Sequence, residues 1–172
     1  MIIKQKLSLI KNLLNQSYKE ELTFSDWLIK QEYLLILALV AAKVKPGATL
    51  PKEFFDQEDL NLCLDLLKKL NLISKTRKFK NFWIIDVAIT KQHLKQFEKD
   101  RFGEFYGYPN CCIESYQSSS PKITSDISIL EFVGLVPCTS SCPKAIKLSQ
   151  KYHLIFKQIL PPTLLTQLFA LN

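Results

Sequence analysis

Four of the five cysteines stand in two tight pairs, Cys111 with Cys112 and Cys138 with Cys142, and no other feature of the 172 residues constrains the fold as strongly. Each pair lies beside a proline suited to the first position of a helix, Pro109 and Pro143. The pattern therefore places both pairs at helix N-termini, with Cys142 near an N-cap. Unpaired backbone N–H groups and the positive end of a helix stabilise an anion, so cysteines there lose their protons more readily. Thiolate is the form that binds metals and attacks electrophiles. Two such termini brought face to face would gather up to four thiolates, and a cation would relieve their repulsion.

An all-thiolate set at Cys111, Cys112, Cys138 and Cys142 suits zinc or an iron–sulfur cluster, and the spacing does not choose between them. Cys138 and Cys142, four apart, can face one way on a helical turn or around a tight loop. Cys111 and Cys112 are adjacent, and neighbours on a helix point about 100° apart, so sharing one ion requires an irregular turn. The competing uses of the four are disulfides, thiol-based catalysis or unrelated structural roles. A vicinal Cys111–Cys112 disulfide would be strained, whereas bridges from one pair to the other would be ordinary staples. Other ligands fit less well. His153 lies about 16 Å up the same helix from Cys142 at ~1.5 Å per residue. His93 is outside the region, Glu114 reads as a solvated helix carboxylate, and Cys63 as a small core residue. There is no phosphate-cradling glycine loop, no Ser/His/Asp set near a glycine elbow and no histidine pair for hydrolytic zinc, so no catalytic residue is assigned.

Around this region the chain reads as mainly α, with a small α+β part. Apolar residues of the first segment are interrupted by Lys4, Lys6 and Lys11, which gives an amphipathic helix rather than a secretory signal. Phe24 to Val44 continues helical, with Thr23 or Ser25 as N-cap and Pro46-Gly47 as the stop. Its apolar run, Tyr33 to Ala42, is about half the ~18 to 20 residues a bilayer span needs, so it reads as a core helix. A short helical piece opens at Leu50-Pro51, and a helix from Gln57 to Leu70 ends at Asn71. Leu72 to Ser74, a basic turn Thr76 to Asn81 and the β-prone run Phe82 to Ile89 make a hairpin, after which Thr90 caps a helix to about Lys99. This order resembles a winged-helix module, whose helix before the hairpin can enter a nucleic-acid groove. Lys75, Arg77, Lys78 and Lys80 would then meet phosphate.

Composition shifts at Arg101, and residues 1–100 and 101–172 are taken as a winged-helix-like part and a cysteine-bearing helical part packed as one unit. The stretch Phe102 to Pro109 interleaves aromatics with Gly103 and Gly107, as a wall over a site or as an aromatic plug. Asp126 to Val133 is a short apolar helix or strand. A final helix runs to about Leu160, where Pro161-Pro162 stops it. The formal net charge of +7 permits contact with nucleic acid or an acidic protein, although lysine surfaces are often simply solvated. Without an export signal or a bilayer-length run the chain is expected in the cytoplasm, where clustered cysteines bind metal or do redox work.

The segments Gly107-Tyr108-Pro109-Asn110-Cys111-Cys112-Ile113-Glu114-Ser115-Tyr116 and Pro137-Cys138-Thr139-Ser140-Ser141-Cys142-Pro143 resemble an uncharacterised archaeal family, domain-of-unknown-function family four-eight-three. The resemblance covers about residues 101 to 150. It implies an archaeal intracellular protein with a shared cysteine site and brings no known activity with it. The expectation from sequence is thus a cysteine-thiolate metal site, structural or supporting an unidentified reaction. The alternative is a nucleic-acid-binding or regulatory winged-helix module with redox-sensing or disulfide-bonded cysteines.

Overall fold

The apolar run from Tyr33 becomes the centre of the molecule: every residue from Leu34 to Ala41 is buried. A helix buried on all sides needs neighbours on all sides, and the remaining elements supply them. The structure, a computed structural model, describes residues 1–17, 24–50, 57–79, 82–99, 101–118, 137–139 and 141–169. Thr23, the helical piece expected after Leu50 and the segment Asp126 to Val133 lie outside the described residues.

Mainly helical architecture with one small antiparallel sheet matches the expected class. Helix α1 (Ile3–Ser17) lays Leu7, Ile10 and Leu14 against α2 (Phe24–Ala41). The α2 helix ends before the expected proline–glycine stop. Lys43 takes the left-handed conformation (φ 61°), and the N–H of Val44 returns to the carbonyl of Leu39 at 2.9 Å. This six-to-one bond satisfies a carbonyl that the helix end would leave orphaned. Asn71 (φ 51°) ends α3 (Gln57–Lys69) in the same way, with Leu72 N–H on the Leu67 carbonyl at 3.0 Å, as its residue type suggested.

Gly47–Leu50 forms a strand, β1, that the sequence reading placed in a turn and a helix start. Four residues are too few to show alternation, and the strand exists because β3 (Phe82–Ala88) offers it a partner. The sheet order is β1-β3-β2, all antiparallel, with Leu50 opposite Ile85 and β2 (Ile73–Phe79) on the other edge. Thr76 to Lys78, read as a basic turn, therefore lie within β2, paired with Ile85, Ile84 and Trp83 of β3, and Lys80 and Asn81 lie outside the described residues. The charged side chains of Arg77 and Lys78 suit an edge strand, which tolerates charge.

Helix α4 (Lys91–Glu98) starts on Thr90, whose side chain accepts the His93 N–H, and leads into the one-turn α5 (Phe102–Phe105) and α6 (Asn110–Ser118). Helix α7 (Pro143–Ile159) packs back on α1 and α2 through Ala145, Tyr152, Phe156 and Ile159. Helix α7 stops at Ile159 with Leu160 as its C-cap, as the proline pair indicated, but it is not the last helix: Pro162 opens α8 (Pro162–Phe169), which buries Leu164 and Leu168. Proline's fixed φ and missing donor cost nothing at a helix start. The buried side chains of α1, α2, α3, the sheet, α7 and α8 form one hydrophobic cluster, and Cys112 and Cys142 belong to it.

Candidate metal centre

The loop before the first cysteine pair is held from three sides. Phe105 is fully buried and fills the space over Gly47, where a Cβ would lie 2.3 Å from its ring. Gly107 then turns the chain at φ 75° tight against Pro46. The Tyr106 hydroxyl shares a 2.8 Å hydrogen bond with Thr49 Oγ1, and that hydroxyl donates to Asp86 Oδ1, also at 2.8 Å. Of the two uses expected for the aromatic segment, Phe105 serves as the plug, and Tyr106 and Tyr108 form a wall.

Helix α6 begins one residue later than expected. Pro109 precedes it, and its carbonyl accepts the N–H groups of Cys112 (2.8 Å) and Ile113 (3.1 Å). Cys111 and Cys112 still occupy the first turn. On the other side Cys142 is the N-cap of α7 and Pro143 its first residue, as the sequence indicated. The two helix starts face each other.

All four sulfurs, of Cys111, Cys112, Cys138 and Cys142, lie within 4.8 Å of one another, and these four could hold a metal ion. Cys111 Sγ is 4.0 Å from Cys112 Sγ, and each is 3.8 Å from Cys142 Sγ. Adjacency therefore does not separate the first pair: from the first turn of α6 both side chains reach one point. These separations are far longer than the ~2.05 Å of a disulfide, and all five cysteines are free thiols. The backbone N–H of Cys138 donates to Cys112 Sγ at 3.4 Å, as a donor placed to stabilise thiolate charge would.

The thiols differ in acidity because their surroundings differ. Burial opposes ionisation of Cys142, but the Ala145 amide in the first turn of α7 and hydrogen bonds from the other three thiols outweigh it and bring Cys142 down to about 7. Burial drives Cys112 the other way, well above the usual thiol range, against the opposing Cys138 amide. Its hydrogen bond with Cys142 raises Cys138. Cys142 therefore loses its proton more readily than Cys112 or Cys138, whose ionisation a bound cation would favour.

None of the other candidate ligands joins the group. His153 packs its ring on Phe169 at 4.4 Å, His93 Nδ1 lies 3.1 Å from Thr90 Oγ1, and Glu114 is exposed. Cys63 is buried in α3, and burial pushes its thiol up to about 12. Beside the centre is a cavity of about 600 Å³, lined by Arg101, Phe102, Tyr106, Tyr108, Tyr116 and Cys112 among others. The volume is in the range of small-molecule sites.

Two of the four hairpin residues expected to meet phosphate have partners within the fold. Lys75 Nζ is 2.6 Å from Glu98 Oε1. Arg77 Nε is 2.9 Å from Asp86 Oδ2, with its guanidinium 5.2 Å over the Phe97 ring. Lys78 is exposed, and Lys80 lies outside the described residues. Sequence reasoning overlooked Asp86, Thr49 and Lys45, which tie the loop to the sheet. A carboxylate inside the apolar run Phe82 to Ile89 was the available signal for the first. Lys45, only 2 % exposed, sets its ammonium 5.6 Å from the Tyr106 ring centre and 5.8 Å from that of Tyr108.

No known protein family, curated protein or solved structure matches this chain.

Proposed function

We propose that the four cysteines bind a single zinc ion and that this ion fastens the start of α6 to the start of α7. The observation that carries the reading is the mutual approach of all four sulfurs within 4.8 Å. A tetrahedral ion with Zn–S near 2.3 Å spaces its thiolates about 3.8 Å apart. The separations of 3.8, 3.8 and 4.0 Å among Cys111, Cys112 and Cys142 fit that figure, and Cys138 lies within 4.8 Å of them. An iron–sulfur cluster places its thiolates on different irons with sulfides between them, so a cluster would need the four to spread. The role is structural in the first instance, and the adjoining cavity is where any chemistry supported by the centre would take place.

The same proposal takes residues 24–88 as a winged-helix-like unit, supported by the order α2, β1, α3, β2, β3 and the sheet order β1-β3-β2. It also includes the resemblance to the archaeal double-cysteine family, whose two motifs come together in one site. Reduced thiolates of this kind suit a cytoplasmic setting.

Anaerobic purification followed by metal analysis and a visible spectrum tests the reading. One zinc per chain and a colourless protein are expected, with the zinc lost in Cys138→Ser and kept in Cys63→Ser. A brown protein with iron and sulfide would replace zinc by a cluster. Metal-free protein with no free thiol among the four would overturn the proposal in favour of disulfides.

A further inference from the structure

The excess charge of this protein is confined to two helices. Of the 23 lysines and arginines, seven lie on α1 and α7, and neither helix carries a carboxylate; the rest of the chain holds 16 of each sign. The whole formal charge of +7 therefore comes from α1 and α7, and these helices pack against each other. Lys6 is the buried exception, and Lys4, Lys11, Lys144, Lys147, Lys151 and Lys157 are exposed. Among the described residues none of these six is in an ion pair, whereas Lys68, Lys75, Arg77 and Arg101 are.

Helical geometry makes a surface of these side chains. Lys144, Lys147 and Lys151 follow one another at three- and four-residue steps along the solvent face of α7, and Lys4 and Lys11 are two turns apart on α1. From Lys144 to Lys151 the row extends along about 10 Å of axis at ~1.5 Å per residue. A nucleic-acid duplex presents roughly six phosphates over that length. Exposed Ser8, Asn12, Asn15 and Gln150 add hydrogen-bonding groups of the kind that contact phosphate and sugar.

We infer that the α1/α7 face binds the phosphate backbone of nucleic acid, without sequence preference. Neither helix has an arginine to read guanine, and lysine side chains without carboxylates among them favour the sequence-independent electrostatic mode. An anionic membrane fits less well. The apolar stripes of both helices, Leu7, Ile10 and Leu14 on one and Tyr152, Phe156 and Ile159 on the other, are already buried in the core. Of the exposed apolar side chains here, Ile146 and Leu154 stand more than two turns apart and Met1, Ile2 and Ile3 are confined to one end of α1, so they make no continuous stripe along the two helices. The inference also differs from the hairpin reading, since Lys75 and Arg77 are paired within the fold.

Fluorescence anisotropy with labelled mixed-sequence 20-base-pair DNA and RNA duplexes tests it on the full chain. Binding is expected at 50 mM salt, weaker by at least about tenfold at 200 mM as counterion release requires. Lys144→Glu with Lys147→Glu and Lys151→Glu should weaken it at least tenfold, and the milder Lys144→Gln with Lys147→Gln several-fold, with circular dichroism unchanged. Lys75→Glu with Lys78→Glu should leave it within twofold. Loss through the hairpin variant alone, no binding at 50 mM salt, or binding to phosphatidylserine vesicles in place of both duplexes would each overturn the inference.

Discussion

At Gly107 the backbone sits at φ 75°, and a Cβ would stand 2.5 Å from Cδ of Pro46. Any side chain there meets both an unfavourable conformation and a rigid ring, so Gly107→Ala should cost about 1–3 kcal/mol in thermal or urea unfolding. Lys45 makes a second residue-scale prediction. Burial lowers its ammonium from the ordinary 10.5 to about 8. Because the folded value lies below the unfolded one, the unfolded chain binds more protons between these limits, and stability rises with pH across them. Below pH 8 the full cost of burying the charge is present, of order 3 kcal/mol before its contacts with Tyr106 and Tyr108 offset part of it. Lys45→Met, similar in length and uncharged, should flatten the slope of unfolding free energy between pH 8 and 10. An unchanged slope would place the charge elsewhere.

Between elements, the chain of contacts from Tyr106 through Thr49 and Asp86 to Arg77 joins the loop before α6 to all three strands. Asp86 is 1 % exposed, and its carboxylate oxygens accept from Thr49 and Arg77. Removing it with Asp86→Ala takes the acceptor from the Thr49 hydroxyl and from the half-exposed Arg77. The expected loss is about 2–4 kcal/mol, with the Arg77 share discounted for solvent screening. Zinc stoichiometry measured on the same variant should persist, because the sulfurs do not take part in the network. The element boundaries show how local chemistry was read and where it gave out. Asn71 was legible as a helix end because its side chain tolerates the left-handed conformation. Lys43, with no such preference, performs the same task unannounced because the buried run of α2 stops there. Strand β1 carries no signature of its own and depends on the edge of β3.

For the whole molecule, an ion at the four sulfurs would cross-link residues far apart in sequence, so metal and folding free energy are linked. Treatment with a strong chelator should lower the melting temperature. Amide exchange should increase first in α5 and α6, which reach the helical core through the cysteines and the aromatic loop, and last in α2, whose residues from Leu34 to Ala41 are buried. Uniform acceleration in every element would mean that the centre supports the entire fold and not the α6 attachment.

The sequence by itself determined the helical class, the central helix, the hairpin and the positions of both cysteine pairs at helix starts. These follow from periodicity, proline and asparagine chemistry and length, which act over a few residues. Only the tertiary structure decided that Cys111 and Cys112 converge with Cys138 and Cys142. The spacing rule for neighbours on a helix describes backbone directions, while the meeting point depends on where α7 begins. It also decided that Lys75 and Arg77 are occupied by Glu98 and Asp86. Charge counted along the chain gives the sum of +7, and only the packing of α1 on α7 sets the six exposed lysines of these helices on neighbouring elements.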